Sequence, residues 1–98
     1  MNLQEVKKGG QLVLLDFYAD WCGPCQSMLP IIESIQEDLK DKVQIIKIDV
    51  DKSPRIAATQ RIRSIPAFIL YKDKQLLWKH TGIITKKELK EKILKYDF

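Results

Sequence analysis

The chain is poor in the residues that build metal centres and covalent frameworks: its 98 residues include two cysteines and one histidine, His80. Two cysteines are too few for a disulfide framework, and a zinc centre wants four ligands that this sequence does not supply. Long apolar runs are also missing. The longest is the five residues from Ala67 to Tyr71, whereas crossing a bilayer takes about 20. Met1 to Gly10 carry no apolar signal core, so a cytoplasmic location is expected and no membrane role. Charge of one sign is not concentrated either. Seventeen Lys+Arg stand against thirteen Asp+Glu, a formal +4 with the acids scattered among the bases, which is no footprint for a nucleic acid. Linkers, repeats and low-complexity tracts are absent, so residues 1–98 are expected to form one domain.

What is present reads as alternating α and β segments. Leu12 to Ala19 is apolar on both alternating faces apart from Asp16, the pattern of a strand covered on both sides. From Gln26 to Lys40, Met28, Ile32, Ile35 and Leu39 recur at helical spacing, with Pro30 expected to bend the helix. Val43 to Val50 reads as a second buried strand, so the order strand, helix, strand calls for a parallel crossover. Ser53-Pro54 reads as a cap and first residue of a short helix running to about Gln60 that buries Ile56 and Ala57. Ala67–Tyr71 and Leu76–Lys79 follow as a hairpin around Lys72-Asp73-Lys74-Gln75. Thr85 and Glu88 form a capping box for a last helix with Leu89, Ile93 and Tyr96 on one face and its lysines in solvent, pairing within a turn of Glu88 and Glu91.

Cys22-Gly23-Pro24-Cys25 falls at the junction of the first strand and the first helix. Unpaired N–H groups and the positive end of the helix dipole point outward there, and a thiolate is stabilised by both. Three residues along a first helical turn separate two Cα atoms by about 5 Å, within disulfide range. Such a bond closes a ring of four residues, worth about 2 kcal/mol of loop entropy against roughly 4.7 kcal/mol for a hundred-residue loop. Stapling is therefore a poor use of the pair, and reversible thiol–disulfide exchange is a good one. Half a zinc site and a pair of inert buried thiols are the alternatives. Asp20, Trp21, Gly23 and Pro24 argue for a surface turn instead.

Asp16 is the second unusual residue, because a carboxylate inside an apolar strand is costly and its pKa should be raised by desolvation. Lying six residues before Cys22, it reads either as a proton shuttle for Cys25 or as a hydrogen-bonded structural acid. Lys47, between Ile46 and Ile48, is a candidate partner for Asp16, or a lysine that snorkels to water. Pro66 opens an apolar strand, a position proline tolerates. Gly82 reads as a turn glycine, and Trp21 as core or as contact surface.

The run Asp16-Phe17-Tyr18-Ala19-Asp20-Trp21-Cys22-Gly23-Pro24-Cys25, followed by Pro30, Lys47-Ile48-Asp49-Val50-Asp51, Ile65-Pro66-Ala67 and Gly82, resembles the thioredoxin family from about Leu12 to the C-terminus. The resemblance implies an α/β thioredoxin fold, a central mixed sheet of about four strands with helices on both faces. It implies a protein-disulfide reductase without cofactor or metal beyond the redox-active Cys22-Cys25 disulfide. Cys22 would be the exposed nucleophile, Cys25 the resolving thiol, and Asp16 and Lys47 would handle the Cys25 proton. A cis Pro66 would pack beside the cysteines, and Trp21, Gly23, Pro24, Ile65 and Gly82 would line a groove for an extended substrate segment. Disulfide-containing proteins would be the substrates, with a thioredoxin reductase as electron donor. Other readings are an oxidant or isomerase of the same family and a partner-specific binding module.

The sequence also departs from the family pattern. Only Met1 to Gly10 precede the central strand, room for a short helix at Leu3 to Lys8, so the family's first strand is expected to be missing. That leaves Val43–Val50 as an open edge on a monomer, and a route to weak dimerisation. Gln26 replaces a common basic residue, Tyr18 a common Trp, Ala67 a common Thr, and the hairpin lacks its usual glycine near Lys74.

Overall fold

The computed structural model describes residues 11–97. Its strands are β1 (Leu12–Tyr18), β2 (Val43–Asp49), β3 (Ala67–Lys72) and β4 (Gln75–Thr81), and its helices α1 (Gly23–Leu39), α2 (Pro54–Thr59) and α3 (Lys86–Lys95). The described strands form one sheet in the order β2-β1-β3-β4. β1 pairs parallel with β2 across the α1 connection and antiparallel with β3, while β3 and β4 form an antiparallel hairpin. This is the mixed sheet expected. The helix proposed at Leu3 to Lys8 and the missing first strand concern Met1 to Gly10, which lie outside the described residues. Among the described residues β2 is one edge of the sheet, and a concavity of about 290 Å³ opens beside it between Tyr18, Lys47 and Ile56.

β1 is buried because it is covered from both sides. Leu12 and Leu14 pack with Met28, Ile32 and Ile35 of α1 and with Leu89 and Ile93 of α3. On the other face Val13, Leu15 and Phe17 pack with Ile46, Ile48 and Ile69, under Ile56 of α2. Each such side chain, taken fully from water, contributes about 1.5–3 kcal/mol.

α1 buries Met28, Ile32, Ile35 and Leu39 as their spacing predicts, but it begins at Gly23, three residues earlier than the periodicity suggests. The reason is local: the Cys22 side chain caps the helix, and Pro24 is set for a first turn. The helix continues through Pro30, an exposed position, so the carbonyl that loses its donor is not trapped in the core.

Two of the expected caps differ in outcome. Thr85 accepts the N–H of Glu88 at 3.1 Å and starts α3 as predicted. Ser53 occupies the cap position of α2 without a side-chain bond. Asp49 shapes that entry instead, its Oδ1 accepting the N–H groups of Asp51 at 2.9 Å and Lys52 at 3.3 Å. The α3 lysines also differ from expectation, because Lys86 and Lys90 reach across to Asp38 of α1 at 3.0 and 3.3 Å rather than pairing within their own helix. Both groups are partly exposed, so each pair is worth at most about 1 kcal/mol.

The hairpin is tighter than the polar run suggests, with Asp73 and Lys74 alone between β3 and β4. Both lie in the left-handed region, at φ 50° and 68°, as a two-residue turn with the twist of the strands requires. A Cβ at Lys74 is costly there. Lys74→Gly is expected to stabilise the fold by about 0.5–1 kcal/mol, a rise of several degrees in Tm by calorimetry. An unchanged or lower Tm would show that the turn carries no such strain.

Candidate active site

Cys22 and Cys25 are joined as a disulfide across the first turn of α1, with Cα atoms 5.2 Å apart. The separation agrees with the helical estimate, so the bond spans the turn without opening it. Cys22 holds extended backbone at φ −87° and ψ 107°, and its Sγ accepts the N–H of Cys25 at 3.1 Å. That sulfur therefore takes one of the orphan donors of the helix start, the group that would also stabilise a thiolate.

The expectation of an exposed Cys22 is corrected by its environment. Both cysteines are only 4% exposed. They pack with Ala19 against Tyr18, Val50 and Ile65, while Trp21, Gly23 and Pro24 around them are open to solvent. The turn is at the surface as expected, yet its sulfur atoms are recessed because one caps the helix and the other faces the core.

β1 delivers Asp16 to the sheet face that α1 covers, the same face as Leu12 and Leu14. It is 4% exposed, opposite Lys47 on β2 and Phe68 on β3. Burial pushes its pKa up to about 6, with the Lys47 charge pulling the other way. Lys47 itself is exposed, its ammonium 5.1 Å from the centre of the Tyr18 ring. It is open to water, and its charge still acts on Asp16.

Trp21 is 71% exposed, so it is not core. Its indole Nε1–H donates to Asp51 Oδ2 at 2.7 Å. The turn that Asp49 shapes thus holds the ring in place. Ile65-Pro66 is cis, Pro66 is buried, and its carbonyl accepts the N–H of Gly82 at 2.8 Å. Gly82 has φ +99° with open space around its missing Cβ, so backbone conformation and not crowding calls for glycine. A concavity of about 220 Å³ lies beside the cysteines between Trp21, Val50, Ile62, Arg63 and Ile65. The structure thus gathers Trp21 and Ile65 around the disulfide and ties Gly82 to Pro66.

Three features escaped the sequence reading. Asp51, as the anchor of Trp21, had no local signal. The segment Ile62–Ser64 enters the site only because α2 ends beside it. Ile83, 59% exposed next to Gly82, was detectable: of two adjacent isoleucines only one can face the core, and Ile84 takes that place at 4%. Among the described residues no helix is long and apolar enough to cross a membrane, and no group of three or more His, Cys, Asp or Glu is placed to hold a metal.

Comparison with known proteins agrees with this geometry. The thioredoxin family model matches residues 3–95. This chain belongs to the thioredoxin family. A chloroplastic Y-type thioredoxin of Arabidopsis thaliana is 48% identical over 81 residues, covering 83% of this chain and 47% of the relative. The chain thus spans about half the length of that plant relative. The thioredoxin of Mycoplasmoides gallisepticum is 42% identical over 90 residues, covering 92% of this chain and 89% of that protein. Among solved structures, a mutant thioredoxin from Halobacterium salinarum superposes with TM-score 0.90 at 34% identity, over 98% of this chain and 83% of that one. Oxidised mitochondrial thioredoxin 3 of Saccharomyces cerevisiae gives 0.86 at 35% identity, over 95% and 86%. The described fold is a thioredoxin fold, with a disulfide across the first turn of α1.

The raised pKa of Asp16 has a measurable consequence for this thioredoxin domain. An unfolded aspartate ionises near 3.8 and the folded one near 6, so the ionised carboxylate opposes folding. The penalty is absent below about pH 4, grows between the two values and is complete above about pH 7, where it reaches about 3 kcal/mol. Asp16→Asn is expected to raise the urea-unfolding free energy of the oxidised protein by up to that amount at pH 8 and to change it little at pH 4. A gain that does not vary with pH would show that the cost of Asp16 is not one of charge.

Proposed function

We propose that this thioredoxin reduces protein disulfides by dithiol exchange through Cys22 and Cys25. The observation that carries the reading is the Cys22-Cys25 bond across the capped first turn of α1, with the Cys25 N–H on the Cys22 sulfur. In the reduced protein the Cys22 thiolate attacks one sulfur of a substrate disulfide, forming a mixed disulfide and expelling the other substrate sulfur as a thiolate. Cys25 then loses its proton and attacks Cys22 Sγ, which restores the intramolecular bond and releases the second substrate thiol. Two electrons pass to the substrate.

Asp16 is the base for Cys25. Its carboxylate lies on the sheet face that α1 covers, and a pKa near 6 suits proton transfer close to neutrality. Lys47 is a positioning charge that keeps this pKa from rising further. Trp21, Gly23, Pro24, Ile65 and Gly82, with Pro66 beneath, form the groove for an extended segment of the substrate. The recessed Cys22 supports this assignment, because only a disulfide pressed into that groove reaches its sulfur. Disulfide-bearing proteins are the substrates and a thioredoxin reductase returns the electrons. The described thioredoxin domain acts as a monomer, without cofactor, nucleic acid or membrane, in the reducing cytoplasm.

Trapping and redox titration test this together. Cys25→Ser is expected to accumulate mixed disulfides on Cys22 that dithiothreitol releases, and Cys22→Ser to form none. Equal capture of partners by both variants would instead indicate a docking module. The dithiol–disulfide equilibrium, read by mass after alkylation in dithiothreitol buffers, is expected at the strongly reducing value general for thioredoxins, about −270 mV. A value between about −180 and −120 mV would reassign the protein to oxidation or isomerisation.

A further inference from the structure

The wall of the groove facing Trp21 is built by Ile62 to Ile65, and this segment leaves α2 through a turn that has no glycine. The helix closes with the N–H of Arg61 on Ala58 O at 3.0 Å and the N–H of Ile62 on Ala57 O at 2.9 Å. These are the two bonds of a helix end whose first residue beyond the cap is left-handed. Arg61 is that residue, at φ 57°. Glycine is usual at this place because a Cβ makes the conformation costly. Something outside the helix therefore has to favour the closed turn.

Lys79 of β4 is positioned to do so. Its ammonium donates to Gln60 O at 3.3 Å and to Arg61 O at 3.4 Å, carbonyls at the turn itself. The Tyr71 hydroxyl donates to the Gln60 side chain from the neighbouring strand. A cation against the last carbonyls of a helix offsets their exposed partial charge, an effect of about two- to fivefold in an equilibrium at a surface site. Ile62, next in the chain, packs against the sheet and lines the groove with Arg63, Ser64 and Ile65.

We propose that Lys79 is a positioning residue for disulfide substrates: it keeps the left-handed turn at Arg61 closed and so holds Ile62–Ile65 as a wall of the groove beside Cys22 and Cys25. The inference rests on the reading of that groove as the substrate site. Lys79 touches neither cysteine nor substrate. Its effect passes through the fraction of molecules whose wall is formed, and so it falls on KM.

Lys79→Met, with and without Arg61→Gly, tests this on the full chain. Lys79→Met is expected to speed amide hydrogen exchange at Ile62 by about two- to fivefold and to raise KM for insulin disulfides by up to the same factor. Its kcat, its redox potential and its rate with a small aromatic disulfide are expected to stay as in the parent. Arg61→Gly, which removes the conformational cost, is expected to restore both exchange and KM in the double variant. Unchanged exchange at Ile62 would overturn the role of Lys79 in the turn. Faster exchange with an unchanged KM, or a fall in kcat and potential alongside it, would overturn its role toward substrate. A parent chain unable to reduce insulin would overturn the proposed function and the substrate part of this inference, while exchange at Ile62 would still decide whether Lys79 holds the turn.

Discussion

β1 has to be buried on both faces and yet end at the surface, and the remaining structure follows from that demand. Its apolar residues need α1 and α3 on one side and α2 on the other, which leaves the backbone to be satisfied by a parallel neighbour and an antiparallel one. The chain leaves this strand at Tyr18 and within a few residues enters α1. Cys22 therefore sits where a rigid strand hands over to unpaired helical N–H groups. A reactive sulfur pair needs that rigidity on one side and those donors on the other.

The same burial creates a polar conflict in the core. Asp16 interrupts an apolar face and is deprived of water, and Lys47 in the neighbouring strand only partly offsets this because its ammonium lies in solvent above Tyr18. An apolar residue at this place would make a more stable strand. A carboxyl group that changes charge close to neutrality, on the face covered by the helix bearing Cys25, is chemically useful in a way that such a residue is not. Under the proposed role of Asp16 as base for Cys25, stability and chemistry pull in opposite directions at this residue.

Around the cysteines the site is assembled from segments far apart in the chain, each held by a bond from elsewhere. Asp51 ties Trp21, Pro66 O takes the Gly82 N–H, and Lys79 reaches the end of α2 from β4. The loops that form the groove are fastened from behind, away from the open face. Left-handed residues without glycine, Arg61, Asp73 and Lys74, mark where the backbone has to turn sharply whatever side chain it carries.

The sequence alone determined most of the elements and the place of the cysteine pair. Continuous apolar runs located β1 and β2 because a strand covered on both sides selects apolar residues throughout, helical spacing located α1 and α3 because burial of one helix face selects residues at that spacing, and Cys22-Gly23-Pro24-Cys25 was legible because a disulfide across one helical turn is a local matter. Boundaries were less legible. α1 starts at Gly23 because a sulfur caps it, and the turn before α2 is shaped by Asp49 while Ser53 holds the cap position without a side-chain bond; both depend on which donors a side chain reaches. Only the tertiary structure decided that Cys22 is recessed, that Trp21 is anchored to Asp51, that Lys86 and Lys90 pair with Asp38, and that Ile62–Ile65 faces the disulfide. Those are contacts between residues distant in sequence. They depend on how strands and helices pack in three dimensions, and a linear pattern carries no record of that geometry.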